Sequence, residues 1–130
     1  MINLSNGMTI RPFLLMLLLV VAGSQEVSYV CSPDQMPSGS PFFSLVGKLL
    51  VLLEQDNAVN GYNFETTVYD STTATAAYGQ SVCYQLLSPL ECTTCLTFLG
   101  EHVWQICSNS LAASVGYGVN CSITYTTYIY

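Results

Sequence analysis

The sequence predicts an α+β domain in which two helices pack on an antiparallel sheet of about five strands, closed by three disulfides. Three observations predict it. Two segments carry apolar residues at helical spacing, several shorter segments alternate apolar and polar residues, and six cysteines lie beyond the N-terminal apolar segment. Helices gathered on one face of an antiparallel sheet are the simplest way to bury both patterns.

The first 24 residues read as a secretory signal rather than as part of the fold. Arg11 is followed by ten apolar residues, Phe13 to Ala22, and then by Gly23 and Ser24. A basic start, a short apolar core and a small-residue exit are the marks of a signal peptide. The apolar run falls short of the about 20 residues a membrane span needs. Cleavage is expected near Ser24, and Met8 is an alternative start. Residues 25–130 are then one domain, with no further hydrophobic span, internal repeat or low-complexity tract.

Gln25 to Ser32 alternates enough to form a first short strand. Ser40 and Pro41 suit the cap and first position of a helix, and Phe42, Val46, Leu49, Leu50 and Leu53 continue it at helical spacing. Apolar residues on its other flank predict burial on most sides. Asn60-Gly61 is a turn signal that ends this region. In the next strand Tyr62, Phe64, Thr66 and Val68 share one face. A loop over 70–75 leads to a strand candidate from Ala76 to Gln85. Ser88-Pro89-Leu90-Glu91 opens the second helix with the residues of a capping box. Its inner stripe is Cys92, Cys95, Leu96, Leu99, Val103, Ile106 and Cys107. Ala113, Val115, Tyr117, Val119, Cys121, Ile123 and Tyr125 then alternate, as two strands broken near Gly116 or Gly118.

Charge excludes two function classes. Without Arg11, Lys48 is the one basic side chain against eight acidic ones, a formal balance of −7. Nucleic-acid binding needs clustered Lys and Arg, and attraction to anionic lipid fails for the same reason.

Cys92 and Cys95 are spaced like a zinc half-site or a redox dithiol. Zinc would need a second pair of ligands, and His102 is the sole histidine. A redox dithiol would sit in a βαβ context that is missing. In a small secreted domain six cysteines are a disulfide framework. Two cysteines one turn apart on a helix are poorly oriented to bond each other, so each is expected to reach a different partner. Cys83 is the nearest candidate for Cys92. No metal or cofactor is expected.

The C-x8-C-x2-C run of Cys83, Cys92 and Cys95 resembles the signature of the plant Gnk2-homologous family, also called the stress-antifungal or DUF26 domain. MPSGSPF, GYNFETT, AAYGQSVCYQ, SPLECTTCL and QICSNSLAASV extend the resemblance over nearly the whole of residues 31–125. It implies a five-stranded antiparallel sheet with two helices. It also implies the pairs Cys31–Cys107, Cys83–Cys92 and Cys95–Cys121.

The same resemblance implies a secreted defence protein, lectin-like and antifungal, that binds mannose-containing glycans of the fungal cell wall. The family's sugar site uses an Asn, an Arg and a Glu. The matching positions are Ser32, Ser114 and Thr126, so all three differ. Short hydroxyls replace charged groups that make the stronger directed bonds, which predicts weaker or absent mannose binding. The alternative is an extracellular protein-interaction module without sugar binding. Trp104, Tyr117 and Tyr125 are candidates for stacking on a sugar, weighed against packing in the core or sheet. Glu54 with Asp56, and Glu101 with His102, are acid–base candidates weighed against plain solvated helix positions. No nucleophile or metal motif points to an enzyme. Asn120-Cys121-Ser122 is a formal glycosylation sequon.

Overall fold

The structure is a computed structural model that describes residues 26–130. The signal segment expected over residues 1–24 lies outside the described residues. The elements run β1 (Val27–Cys31), α1 (Phe42–Gln55), β2 (Asn63–Asp70), β3 (Thr75–Cys83), α2 (Pro89–Ile106), β4 (Ala112–Tyr117) and β5 (Cys121–Ile129), with a single 3-10 turn at Ala58–Asn60. All strand pairs are antiparallel, in the order β1-β4-β5-β3-β2. The architecture is the expected one of two helices on a five-stranded antiparallel sheet with three disulfides.

Both helices lie on the same face of the sheet. α1 covers β2 and β3, while α2 covers β4 and β5. The core between them is built from Leu45, Val46, Leu49, Leu50 and Leu53 of α1 and Leu96, Leu99 and Val103 of α2. They meet Ala77, Ala113, Val115, Ile123 and Tyr125 from the strands. Gly79 is where α1 comes closest to the sheet: a Cβ there would lie 2.8 Å from Leu53 Cδ1, 2.9 Å from Leu49 Cδ2 and 3.0 Å from the Thr124 carbonyl oxygen.

Three disulfides join Cys31 to Cys107, Cys83 to Cys92 and Cys95 to Cys121. Each ties a strand to α2 or to its C-cap residue, Cys107. Beside them runs a buried polar chain. Asn57, fully buried, donates from Nδ2 to the Ser81 carbonyl (2.8 Å) and to Ser81 Oγ (2.9 Å), and Ser81 Oγ donates to the Leu53 carbonyl (2.9 Å). These bonds satisfy the end of α1 where it turns toward β2.

Several local expectations shift. Ser88 caps α2: its Oγ accepts from the Glu91 N–H (3.1 Å) and the Ser88 N–H donates to the Glu91 carboxylate (2.8 Å). Ser40 does not cap α1. The helix starts one residue later with Pro41 at the cap, and Ser40 Oγ is buried with no hydrogen-bond partner among the described residues. Gly39 turns the chain left-handed just before this point, and the Ser40 N–H bonds back to the Pro37 carbonyl. β3 ends at Cys83 rather than Gln85 because Tyr84 and Gln85 enter the turn leading to α2. Val119 leaves the alternation, 75 % exposed in the turn between β4 and β5.

Candidate functional site

With the helices on one face, strict alternation leaves the opposite face of the sheet open. On β4 and β5 that open face holds Ser114 and Thr126. They are diagonal neighbours, because Ser114 pairs with Thr124 and Ala112 pairs with Thr126. Ser32 joins them from just past β1, held by its N–H donating to the Ala112 carbonyl (2.9 Å). The structure thus brings Ser32, Ser114 and Thr126 around one shallow hollow of about 320 Å³, with Val30, Ala112, Ala113, Thr124 and Tyr125 completing the wall.

The hollow exposes mostly carbon surface, carries the hydroxyl residues Ser32, Ser114, Thr124 and Thr126, and is free of ionised side chains. Ser114 Oγ and Thr124 Oγ1 share a hydrogen bond at 3.1 Å, and Ser32 Oγ accepts from the Asp34 N–H at 3.2 Å. Each hydroxyl keeps spare capacity to donate or accept. A sugar placed here would meet only neutral, short-reach partners, without the charge-assisted bonds that fix a monosaccharide tightly. Among the described residues no three His, Cys, Asp or Glu side chains cluster to hold a metal.

Of the aromatic candidates, Tyr125 alone borders the hollow, and its ring points away from it. Tyr125 faces the core, 2 % exposed, and its hydroxyl donates to the Ser110 carbonyl at 2.7 Å; burial pushes its pKa up to about 12. It cannot stack on a sugar at the surface. Trp104 is partly buried against the core, and Tyr117 packs edge-on to Phe98. Tyrosines do occupy the open face, but they are Tyr69, Tyr78 and Tyr128. The alternation of Glu65-Thr67-Tyr69 and Thr124-Thr126-Tyr128 carries that signal in the sequence, opposite the apolar sets on the same strands.

The acid–base candidates separate. Asp56 is the C-cap residue of α1. Glu54 is half-buried where α1 crosses α2 and lies against Gly100 so closely that a Cβ there would overlap its carboxyl group. Burial, with a smaller repulsion from Glu101, pushes its pKa up to about 7. Glu54 is therefore no solvated helix end, and its carboxyl lies on the helical side, remote from the open face. The His102 ring hydrogen-bonds the Phe98 carbonyl through Nδ1 (3.1 Å) and packs against the Phe98 ring at a 45° tilt.

A larger hollow of about 480 Å³ lies between α2 and the β4–β5 turn. Leu87, Leu90, Phe98 and Tyr117 give it an apolar lining, and the carboxylate at its rim, Glu91, is already engaged in capping. Asn120 of the sequon also lines it, next to the disulfide-bonded Cys121.

A family profile described as salt stress response/antifungal matches residues 30–128. The chain belongs to this stress-antifungal family. It is 40 % identical over 118 residues to antifungal protein ginkbilobin-like protein 1 of Picea sitchensis, covering 88 % of each chain. It is 36 % identical over 111 residues to antifungal protein ginkbilobin-2 of Ginkgo biloba, covering 85 % of this chain and 82 % of that one. Among solved structures, the tandem DUF26 ectodomain of the Arabidopsis thaliana cysteine-rich receptor-like protein PDLP5 superposes with a TM-score of 0.66 at 26 % identity. That match covers 76 % of this chain and 48 % of the ectodomain, so the chain spans about half of the tandem structure. The corresponding ectodomain of PDLP8 has a TM-score of 0.67 at 20 % identity and shares the fold. No helix among the described residues is long and apolar enough to cross a membrane.

Proposed function

We propose that the chain is a secreted plant defence protein that restrains fungi by binding neutral cell-wall glycans, mannose-containing ones included, in the apoplast. The observation that carries this reading is the convergence of Ser32, Ser114 and Thr126 on one open, uncharged hollow. The antifungal relatives at 40 % and 36 % identity support the biological role. The protein works by binding and not by catalysis: its one strongly perturbed carboxyl, Glu54, faces the helix crossing rather than the hollow. Residues 1–24 act as the signal peptide.

The second reading is an extracellular protein-interaction module without sugar binding. The replacement of both charged groups and the amide at the positions that the resemblance assigns to the family's sugar site favours it, as does the likeness to a receptor-like ectodomain.

Calorimetric titration of the secreted, disulfide-bonded chain with mannose and short mannans separates the two. Binding, together with inhibition of fungal growth by the same preparation, supports the first reading. Silence in the natural chain, with binding restored by Ser32→Asn, Ser114→Arg and Thr126→Glu together, leaves the interaction-module reading.

A further inference from the structure

The surface around the Ser32, Ser114 and Thr126 hollow does not end at β5. Rows of paired residues carry its surface across β3 to the edge strand β2. Thr126 stands opposite Tyr78, and Tyr78 opposite Thr67. Thr124 leads in the same way to Gln80 and Glu65. In a third row Tyr128 and Tyr69 flank Ala76, which is fully buried, while staying 39 % and 61 % exposed themselves. From β4 to β2 this strip measures about 14 Å, three strand spacings, long enough for more than one hexose ring.

We infer that this strip binds an extended, neutral polysaccharide lying across the strands, with Tyr69 and Tyr128 against the apolar faces of its rings. The inference rests on the glycan-binding reading above and assigns it a polymer in place of a single sugar.

Two properties of the strip select that occupant. The first is charge. The strip holds no cation, because Lys48, the sole Lys or Arg among the described residues, belongs to α1 on the other side of the sheet. Its one carboxylate, Glu65, accepts a hydrogen bond from the Tyr78 hydroxyl at 2.6 Å. That bond is the leading cause of a raised Tyr78 pKa, so the phenol stays neutral. A polyanion finds nothing to pair with and meets an acidic protein, whereas a neutral chain pays no such penalty.

The second property is preorganisation. Gln80 Nε2 donates to Asn63 Oδ1 at 2.9 Å, and Ser114 shares its hydrogen bond with Thr124. Tyr69 is braced edge-on by Tyr130, their ring centroids 5.5 Å apart. Amides, hydroxyls and rings already held by their neighbours lose little freedom on binding. Weak contacts repeated along a polymer then compensate for the charged groups missing from the hollow.

The test is co-sedimentation of the disulfide-bonded chain with three probes: insoluble β-1,3-glucan, insoluble mannan and an anionic polygalacturonate gel. The natural chain is expected to sediment with at least one neutral polymer, independently of salt, and not with polygalacturonate. Tyr69→Ala with Tyr128→Ala should cut retention roughly tenfold while circular dichroism and melting stay near those of the natural chain. Tyr69→Ala alone, at an exposed edge position, is the fallback if the double variant is unstable, and should cut it severalfold. Undiminished retention in folded tyrosine variants overturns the inference, as does equal retention on polygalacturonate. Mannose titration of the same preparation separates the two readings. Mannose binding without polymer retention defeats the polymer inference alone, and absence of both defeats the glycan reading as well.

Discussion

Glu54→Gln should stabilise the protein above neutral pH and leave it unchanged in mild acid. The carboxyl sits half-buried between α1 and Gly100 of α2, and burial, then the Glu101 charge, raise its pKa from 4.5 to about 7. Its place in the last turn of α1 adds the unfavourable negative end of the helix dipole. A raised folded-state pKa means that the folded protein holds this proton more tightly than the unfolded chain. The stabilisation is fully present below pH 4.5 and is lost as pH rises through about 7. At about 1.4 kcal/mol per unit the shift corresponds to roughly 3 kcal/mol. Solvent screening at this half-exposed site reduces that to about 1–2 kcal/mol. Glutamine mimics the protonated acid at every pH. Urea unfolding with disulfides intact, at pH 4 and pH 8, should therefore give matching stabilities at pH 4 and a gain of about 1–2 kcal/mol for the variant at pH 8. A difference that is the same at both pH values would refute the reasoning. Gly100→Ala should push the carboxyl into water and flatten the wild-type pH dependence.

Asn57→Ala should cost about 1–3 kcal/mol in urea unfolding, because the Ser81 carbonyl loses a buried donor at a site with no exposure. Gly79→Ala should cost a similar about 1–3 kcal/mol, since its Cβ would press on Leu49, Leu53 and the Thr124 backbone oxygen; a neutral result would mean that α1 can lift off the sheet freely. Ser88→Ala removes one half of the capping box and should cost about 1 kcal/mol, read as a lower melting temperature with unchanged disulfides.

Much of the fold was legible because its signals are local. The stripe from Cys92 to Cys107 and the Ser88–Glu91 pair define α2 almost to the residue. The same reasoning failed at Ser40-Pro41, and the difference is instructive. Three residues after Ser88 stands Glu91, whose carboxylate returns a bond to the cap; three residues after Ser40 stands Phe43, which cannot. A serine before a proline is therefore half a signal. The strand order, in which β5 sits between β4 and β3, depends on long-range pairings that no single segment encodes. The burial of Glu54 was illegible for the same reason: it follows from a close approach at Gly100, 46 positions away in the chain. Ser32, Ser114 and Thr126 were singled out through a family resemblance. What joins them to a tyrosine strip is sheet register, which alternation hints at but cannot fix.

The placement of the disulfides explains how this chain can keep the fold while changing its open face. Cys31, Cys83 and Cys121 all lie on strands, and all three bond to α2 or its C-cap. The apolar core and the Asn57–Ser81 bonds occupy that same helical side. The disulfides, the apolar core and the buried polar chain thus all act on one side of the sheet. Residues on the other side answer only to strand propensity and to neighbours across the strands, terms worth about 0.2–1 kcal/mol each. At the positions that the family resemblance assigns to an amide, a guanidinium and a carboxylate, Ser32, Ser114 and Thr126 cost folding little. Binding specificity can therefore change by single substitutions on an unchanged frame. A neutral strip of tyrosines, threonines and amides is such a change, trading a few charge-assisted bonds to one sugar for many weaker contacts along a chain of them.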